Sequence, residues 1–204
     1  MNRFRFAILA VVLLVVGLVA TASFASPLRH SRSAATGLTI RWDLISLDFK
    51  TSPPTFSPGG FASALAADGT KITLTGSGTF GGSPKRVTDG GNWTTFDPSG
   101  AQSGSGTYKV VSLVSFIEAN LQAQTPPFTD KIGDTNKRAN GTAVLRIAYS
   151  DGSQGVLTVG CHGPGAPPGI FEGIAATKGF KTYYSVQAPA PGVDANRTLF
   201  HVGV

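Results

Sequence analysis

The chain predicts an all-β fold, an antiparallel β-barrel or β-sandwich of about ten short strands. Three observations carry that expectation. Short runs rich in Thr, Val, Ile and Phe alternate polar with apolar residues, the period-2 mark of a half-buried strand. Asp-Gly and Gly-Gly pairs punctuate those runs, as at Asp68-Gly69 and Asp151-Gly152, where two-residue hairpin turns are expected. Composition agrees: Gly 26 and Pro 13 with only 14% charged residues describe a chain of 204 residues with many turns and few surface helices. That length is enough for one domain with a core of its own.

Residues 1–25 have the three parts of a secretory signal: Arg3 and Arg5, an apolar run from Ala7 to Ala20, and a small-x-small site ending at Ala25 (or earlier, at Ala22). The run from Phe6 to Leu28 is long enough to serve as an uncleaved anchor instead. The small residues and Pro27 at its end favour cleavage, a secreted product and no stable membrane anchor. Residues 26–37 read as a flexible lead-in and 38–204 as a single β-domain. Formal charge is +6, and loss of Arg3 and Arg5 leaves 15 basic against 11 acidic residues. The basic residues are scattered rather than striped between aromatics, which argues against a nucleic-acid partner. The chain has a single cysteine, Cys161, so no intramolecular disulfide forms and the exported domain stands on its core alone.

The strands follow in order. Leu38 to Leu44 alternates cleanly, and the opposite parity of Ile45, Leu47 and Phe49 places a bend near Leu44-Ile45. Thr51 to Gly60, with three prolines, reads as a loop. Phe61–Ala67 and Thr70–Phe80 flank the Asp68-Gly69 turn. Asn92–Phe96 is followed by a β-turn at Asp97-Pro98-Ser99-Gly100. Gly104 to Phe116 is the longest run, with Tyr108, Val110, Ser112, Val114 and Phe116 on one parity. Ile117 to Gln124 suggests a helical turn, and Lys131 to Gly141 a mobile loop. Thr142–Tyr149 and Gln154–Cys161 form a hairpin, His162–Gly169 a rigid loop, and Phe171–Ala176 with Phe180–Val186 another strand pair. Thr198–Val202 closes the chain after a loop at Pro189–Gly192. Gly76-Ser-Gly-Thr-Phe80 recurs as Gly104-Ser-Gly-Thr-Tyr108, pointing to two equivalent strand entries in one sheet system.

No motif carries a recognised chemistry. Gly76-Ser-Gly78-Thr-Phe-Gly81 matches the dinucleotide fingerprint by letters, with Asp97 near the required distance. Gly82, Pro84 and Gly90-Gly91 forbid the helix whose N–H groups would hold the pyrophosphate. No cofactor is implied. Three His and one Cys fall at no zinc spacing, and the Asp residues at no calcium spacing, so no metal is implied either. Cys161-His162 are adjacent on an extended backbone and point to opposite faces.

Glu118 and Glu172 are the only glutamates. Glu172, between Phe171 and Gly173-Ile174, is the carboxylate placed for burial and a raised pKa. With His162 or His201 it is the weak catalytic candidate. Trp93, between Asn92 and a Thr pair, is the candidate ligand-binding aromatic. Asn92-Trp-Thr, Asn140-Gly-Thr and Asn196-Arg-Thr satisfy the glycosylation rule; the lack of paired cysteines points to bacterial export. The sequence favours a secreted, non-enzymatic β-domain that binds a small ligand or surface partner. The alternatives are a secreted enzyme using Glu172 with His162 or His201, and a structural protein that self-associates through sheet edges.

Overall fold

The structure is a computed structural model that describes residues 37–83, 86–185 and 197–204. The expected signal segment, the lead-in through residue 36 with His30, the Pro189–Gly192 loop and Asn196 lie outside those residues.

The fold is all-β. In chain order the strands are β1 (Thr39–Asp48), β2 (Thr55–Pro58), β3 (Phe61–Leu65), β4 (Lys71–Thr75), β5 (Ser77–Gly81), β6 (Arg86–Val87) and β7 (Gly90–Phe96). There follow β8 (Gln102–Leu121), β9 (Thr129–Asp130), β10 (Arg138–Tyr149), β11 (Gln154–Cys161), β12 (Gly173–Lys178), β13 (Lys181–Tyr183) and β14 (Thr198–Val202). The antiparallel pairings β10–β14–β1–β5–β7–β8 return to β10 and close a barrel. Closure removes the open edges that a flat sheet would leave. β11, β12 and β13 extend from β10, and β4 and β3 from β7. The two extensions meet at an antiparallel bridge between Leu65 and Ser185.

Long β8 makes the closure possible. Gln102 to Lys109 pair with β7, while Tyr108 to Leu121 pair with β10. Against β10 the register shifts at three points, leaving Val111, Val114 and Ala119 as extra residues without a partner. Each bulge flips the parity. The expected single parity from Tyr108 to Phe116 is therefore corrected: Tyr108, Val110 and Phe116 are buried, whereas Val114 is 56% exposed. Leu113 takes the inward place opposite Leu145.

Other expectations are confirmed or corrected locally. β1 changes partners at the predicted bend: Ile40–Leu44 pair with β14 and Ile45–Asp48 with β2. Thr70–Phe80 is two strands rather than one. Gly76, at φ 138°, breaks it, and a Cβ there would meet Gly90 O at 2.4 Å. The three-proline segment contains the short β2, with Pro58 at its last position, where a missing N–H is tolerated. The suggested helical turn is instead the end of β8. The expected loop from Lys131 to Gly141 holds a 3₁₀ turn at Thr135–Lys137 and the start of β10. Arg138 and Asn140 disguised that strand start, because both are polar and yet fully buried.

The three Asp turns form as read. Asp68, Asp97 and Asp151 accept the backbone N–H two residues on, at 3.1, 2.8 and 3.1 Å. The internal echo has a structural meaning as well. Gly78 lies opposite Trp42, and Gly106 opposite Trp93. A Cβ on either glycine would come within 2.9 Å of the facing indole Nε1. Each repeat thus supplies a bare backbone on which a large ring lies flat, so both tryptophans enter the core. There Phe80, Phe116 and Phe200 meet with ring centroids 5.1 to 6.5 Å apart. Burying such side chains contributes about 1.5–3 kcal/mol each.

Candidate functional site

β10 changes partners along its length, and the site grows from that change. Its first residues, Arg138 and Ala139, pair with β14, whereas Gly141 to Ala148 pair with β11. The end of β11 and the start of β14 therefore lie side by side without a ladder between them. Glu172, just before β12, fills the gap. Its Oε2 accepts the His162 N–H at 2.6 Å, and its Oε1 accepts the Thr198 N–H at 2.7 Å. The carboxylate takes the place of a missing strand.

Around it, Thr198 Oγ1 donates to Gly160 O at 2.5 Å, and Cys161 Sγ donates to Thr198 O at 3.3 Å. Gln122, just beyond β8, donates its Nε2–H to Cys161 Sγ at 3.3 Å. Because the thiol proton is engaged with Thr198 O, the sulfur faces Gln122 as an acceptor. That fixes the amide orientation and leaves Gln122 Oε1 buried without a partner.

These groups form the polar side of an open-mouthed cavity of about 190 Å³. Its apolar side is Ile45 and Leu47 from β1, Phe49, Phe56 from β2, Phe128 and Leu199. Phe56 and Phe128 stack with centroids 4.7 Å apart, and the buried Arg138 guanidinium lies 5.3 Å from the first ring and 5.8 Å from the second. His162 and Arg197 complete the rim.

The electrostatics follow from burial. Desolvation pushes Glu172 up to about 7, against the opposing pull of the His162 and Thr198 N–H groups and of the Arg197 charge. Burial, assisted by the Glu172 charge, also pushes the Cys161 thiol far above its ordinary range, so the sulfur is an uncharged, inert thiol at neutral pH.

The predicted residues are only partly brought together. Glu172 and His162 share the cavity, but Glu172 holds the His162 backbone and not its ring. The ring Nδ1–H donates to Ile170 O at 2.7 Å, which leaves Nε2 as the ring's free acceptor. Cys161 is buried and His162 exposed, pointing apart as adjacent strand residues do.

His201 is not a lining residue. It is fully buried, with Nε2 3.0 Å from Asp130 Oδ2, while Asp130 Oδ1 accepts the N–H groups of Ile132 and Gly133 at 2.8 and 3.1 Å. Burial acts to raise the Asp130 pKa, but the His201 bond and the two N–H groups outweigh it and hold it below the usual carboxylate range. Trp93 is a core residue with no open face. It is 5% exposed, edge-on to Tyr149 at 5.9 Å and capped by Lys178 Nζ at 4.2 Å. The expectation of a ligand-stacking Trp93 is corrected: its ring lies against Gly106 in the core. Of the sequons, Asn92 is exposed, whereas Asn140 is fully buried and bonded to Asn120 and Gly163. Among the described residues no group of three or more His, Cys, Asp or Glu side chains is placed to hold a metal ion.

Comparison with family models, with curated proteins and with solved structures finds no match to this chain. The site is therefore read from its own atoms. Sequence reasoning found Glu172 and His162 but not Gln122, Thr198, Arg197 or the Phe56–Phe128 pair. A glutamine at a strand end carries no sequence signal of burial. Phe56 comes from a segment read as a loop, and Phe128 from a stretch after Gln124 to which the sequence assigned no element.

Proposed function

We propose that the protein is an exported, non-enzymatic β-barrel that binds a small, mainly apolar molecule in the cavity between the start of β14 and the end of β11. The observation that carries this reading is one cavity lined both by apolar side chains, among them Leu47, Phe56 and Phe128, and by a few polar groups, among them Glu172 and His162. Ligand sites are typically apolar with a few convergent polar groups. The cavity is smaller than the roughly 300–1,000 Å³ of drug-sized sites, so it suits a ligand of about one ring.

A catalytic reading of the same cavity has one supporting observation. Glu172 carries a proton near neutrality inside a cleft, the property of a general acid or base. In that reading Glu172 transfers the proton and the free Nε2 of His162 orients the substrate, while His201 has no part.

Native and denaturing mass spectrometry of the protein from its own host tests the proposal. The denatured mass is expected to lack residues 1–25, and the native mass to exceed it by one small-molecule increment that Leu47→Trp abolishes. A denatured mass that retains the segment would sink the export reading. A native ladder of multimers would favour self-association, for which the half-exposed Val111, Val114, Ile117 and Leu121 of β8 supply a surface.

A further inference from the structure

We infer that an apolar molecule entering the cavity drives a proton onto Glu172, so that the site fills as the medium becomes acidic and empties as it becomes alkaline. The inference rests on the ligand-binding reading above and deepens it by giving that site its regulation. Geometry carries it. Glu172 lines the cavity together with the apolar side chains of Ile45, Leu47, Phe56, Phe128 and Leu199. Its two oxygens are held by the His162 N–H at 2.6 Å and the Thr198 N–H at 2.7 Å, the first just past the end of β11 and the second at the start of β14. The carboxyl group is thereby pinned to the wall and does not swing out to solvent when the cavity fills. Glu172 is only half-buried, so water reaches it through the open mouth of the empty cavity. A ligand without a polar head replaces that water with hydrocarbon, and desolvation disfavours the charged form of a carboxyl group.

The groups around Glu172 decide whether that desolvation wins. Arg197 lines the same cavity and its charge pulls the carboxyl the other way, a pull that strengthens as water leaves. In the empty cavity burial is nonetheless the largest influence, and it holds Glu172 up to about 7 against Arg197 and both N–H groups together. Cys161 is an uncharged thiol, and Gln122 and Thr198 carry no charge. Arg138 lies against the Phe56 and Phe128 rings, and a guanidinium keeps its charge throughout this range. His162 is the other cavity residue of a type that changes charge near neutrality. It is exposed, with Nδ1–H on Ile170 O, so it stays in contact with bulk water while the cavity fills. Linkage then fixes the sign: a ligand that favours the protonated carboxyl is itself bound more tightly by the protonated protein, by the same factor. A cavity of about 190 Å³ admits one aromatic ring, since about 150 Å³ is enough for benzene.

Toluene, which has no head group and does not titrate, is the probe. It is added to the purified protein and followed by isothermal titration calorimetry at pH 7 in phosphate and in Tris. The two buffers give up protons with different heats, so the difference counts the protons bound with the ligand. Uptake of about 0.4 proton per toluene is expected, because Glu172 is about half-protonated before binding and about nine-tenths after a further shift of about one unit. The same shift lowers the affinity about sevenfold between pH 6 and pH 8.5. Glu172→Gln, first checked for a cooperative thermal transition, is expected to bind toluene with no proton uptake and no pH dependence. His162→Gln removes the other titrating group and is expected to keep both. Leu47→Trp, which fills the mouth, is expected to abolish binding. A pH-independent affinity without uptake, or release of a proton, would overturn the coupling and leave the ligand cavity standing. Uptake that vanishes in His162→Gln and persists in Glu172→Gln would overturn it as well. Failure of toluene to bind, or binding that Leu47→Trp does not alter, would overturn the ligand-cavity reading itself.

Discussion

Glu172 makes the folded protein lose stability as pH rises toward neutrality. Its pKa moves from the ordinary 4.5 up to about 7 on folding. Between those values the folded chain holds a proton that the unfolded chain has released. Stability therefore falls with rising pH across that window and is level above it. A shift of this size corresponds to about 3 kcal/mol at about 1.36 kcal/mol per unit. The perturbation is Glu172→Gln, which keeps one acceptor oxygen and removes the titration. Urea unfolding of both proteins at pH 4.5, 5.5, 6.5 and 7.5 isolates the effect, because every other titrating group is common to the two. The stability of the wild type relative to the variant is expected to drop by about 3 kcal/mol from the lowest pH to the highest. A difference that stays constant within about 1 kcal/mol would refute the reasoning. So would a wild type that gains on the variant as pH rises, since that is the sign of a depressed carboxylate.

Asp130 has the opposite sign: its carboxylate is held below the usual range, so its contribution is present at neutral pH and is lost as pH falls through that range. Asp130→Asn is expected to cost about 2–3 kcal/mol at pH 7 by weakening a buried charge-assisted bond to His201, and to flatten the acid limb of the unfolding profile; equal stability at pH 7 would show that the pair contributes nothing. Gly78→Ala and Gly106→Ala each set a methyl against a tryptophan ring and are expected to destabilise by about 1–3 kcal/mol. Near-ultraviolet circular dichroism reports whether the indole moves, and an unchanged spectrum with unchanged stability would contradict the packing described.

The fold class was readable because hairpin chemistry is local. Asp68, Asp97 and Asp151 bind their own turns, and β14 coincides with the expected Thr198–Val202. Parity in β8 was not readable. A bulge is a decision about the partner strand, and nothing in the run of Val, Ser, Leu and Val around Val114 announces it. Polar burial was hidden for a similar reason. Arg138 and Asn140 look like loop residues until Phe56, Phe128 and Pro164 cover them. The candidate site divides along the same line. Glu172 stood out as a glutamate among apolar neighbours, whereas its partnership with Thr198 joins residues that only the barrel closure brings together.

That closure explains why a carboxylate occupies the site at all. Where β10 passes from β14 to β11, the two strands diverge and two backbone N–H groups, those of His162 and Thr198, lack a ladder partner. A single acidic side chain satisfies both, which no apolar residue can do. Removing it would leave the N–H of buried Thr198 with an unmade bond at a cost of about 1–3 kcal/mol, whereas the N–H of exposed His162 could turn to water. Glu172→Leu is therefore expected to destabilise the protein at pH 7 even though it removes an unfavourable buried charge, and by more at pH 4.5, where that charge is already neutralised. The difference between the two pH values would again read the cost of ionising Glu172, about 3 kcal/mol. Equal destabilisation at both would mean that the carboxylate serves only as a strand substitute. Its proton would then have no place in the chemistry of the cavity.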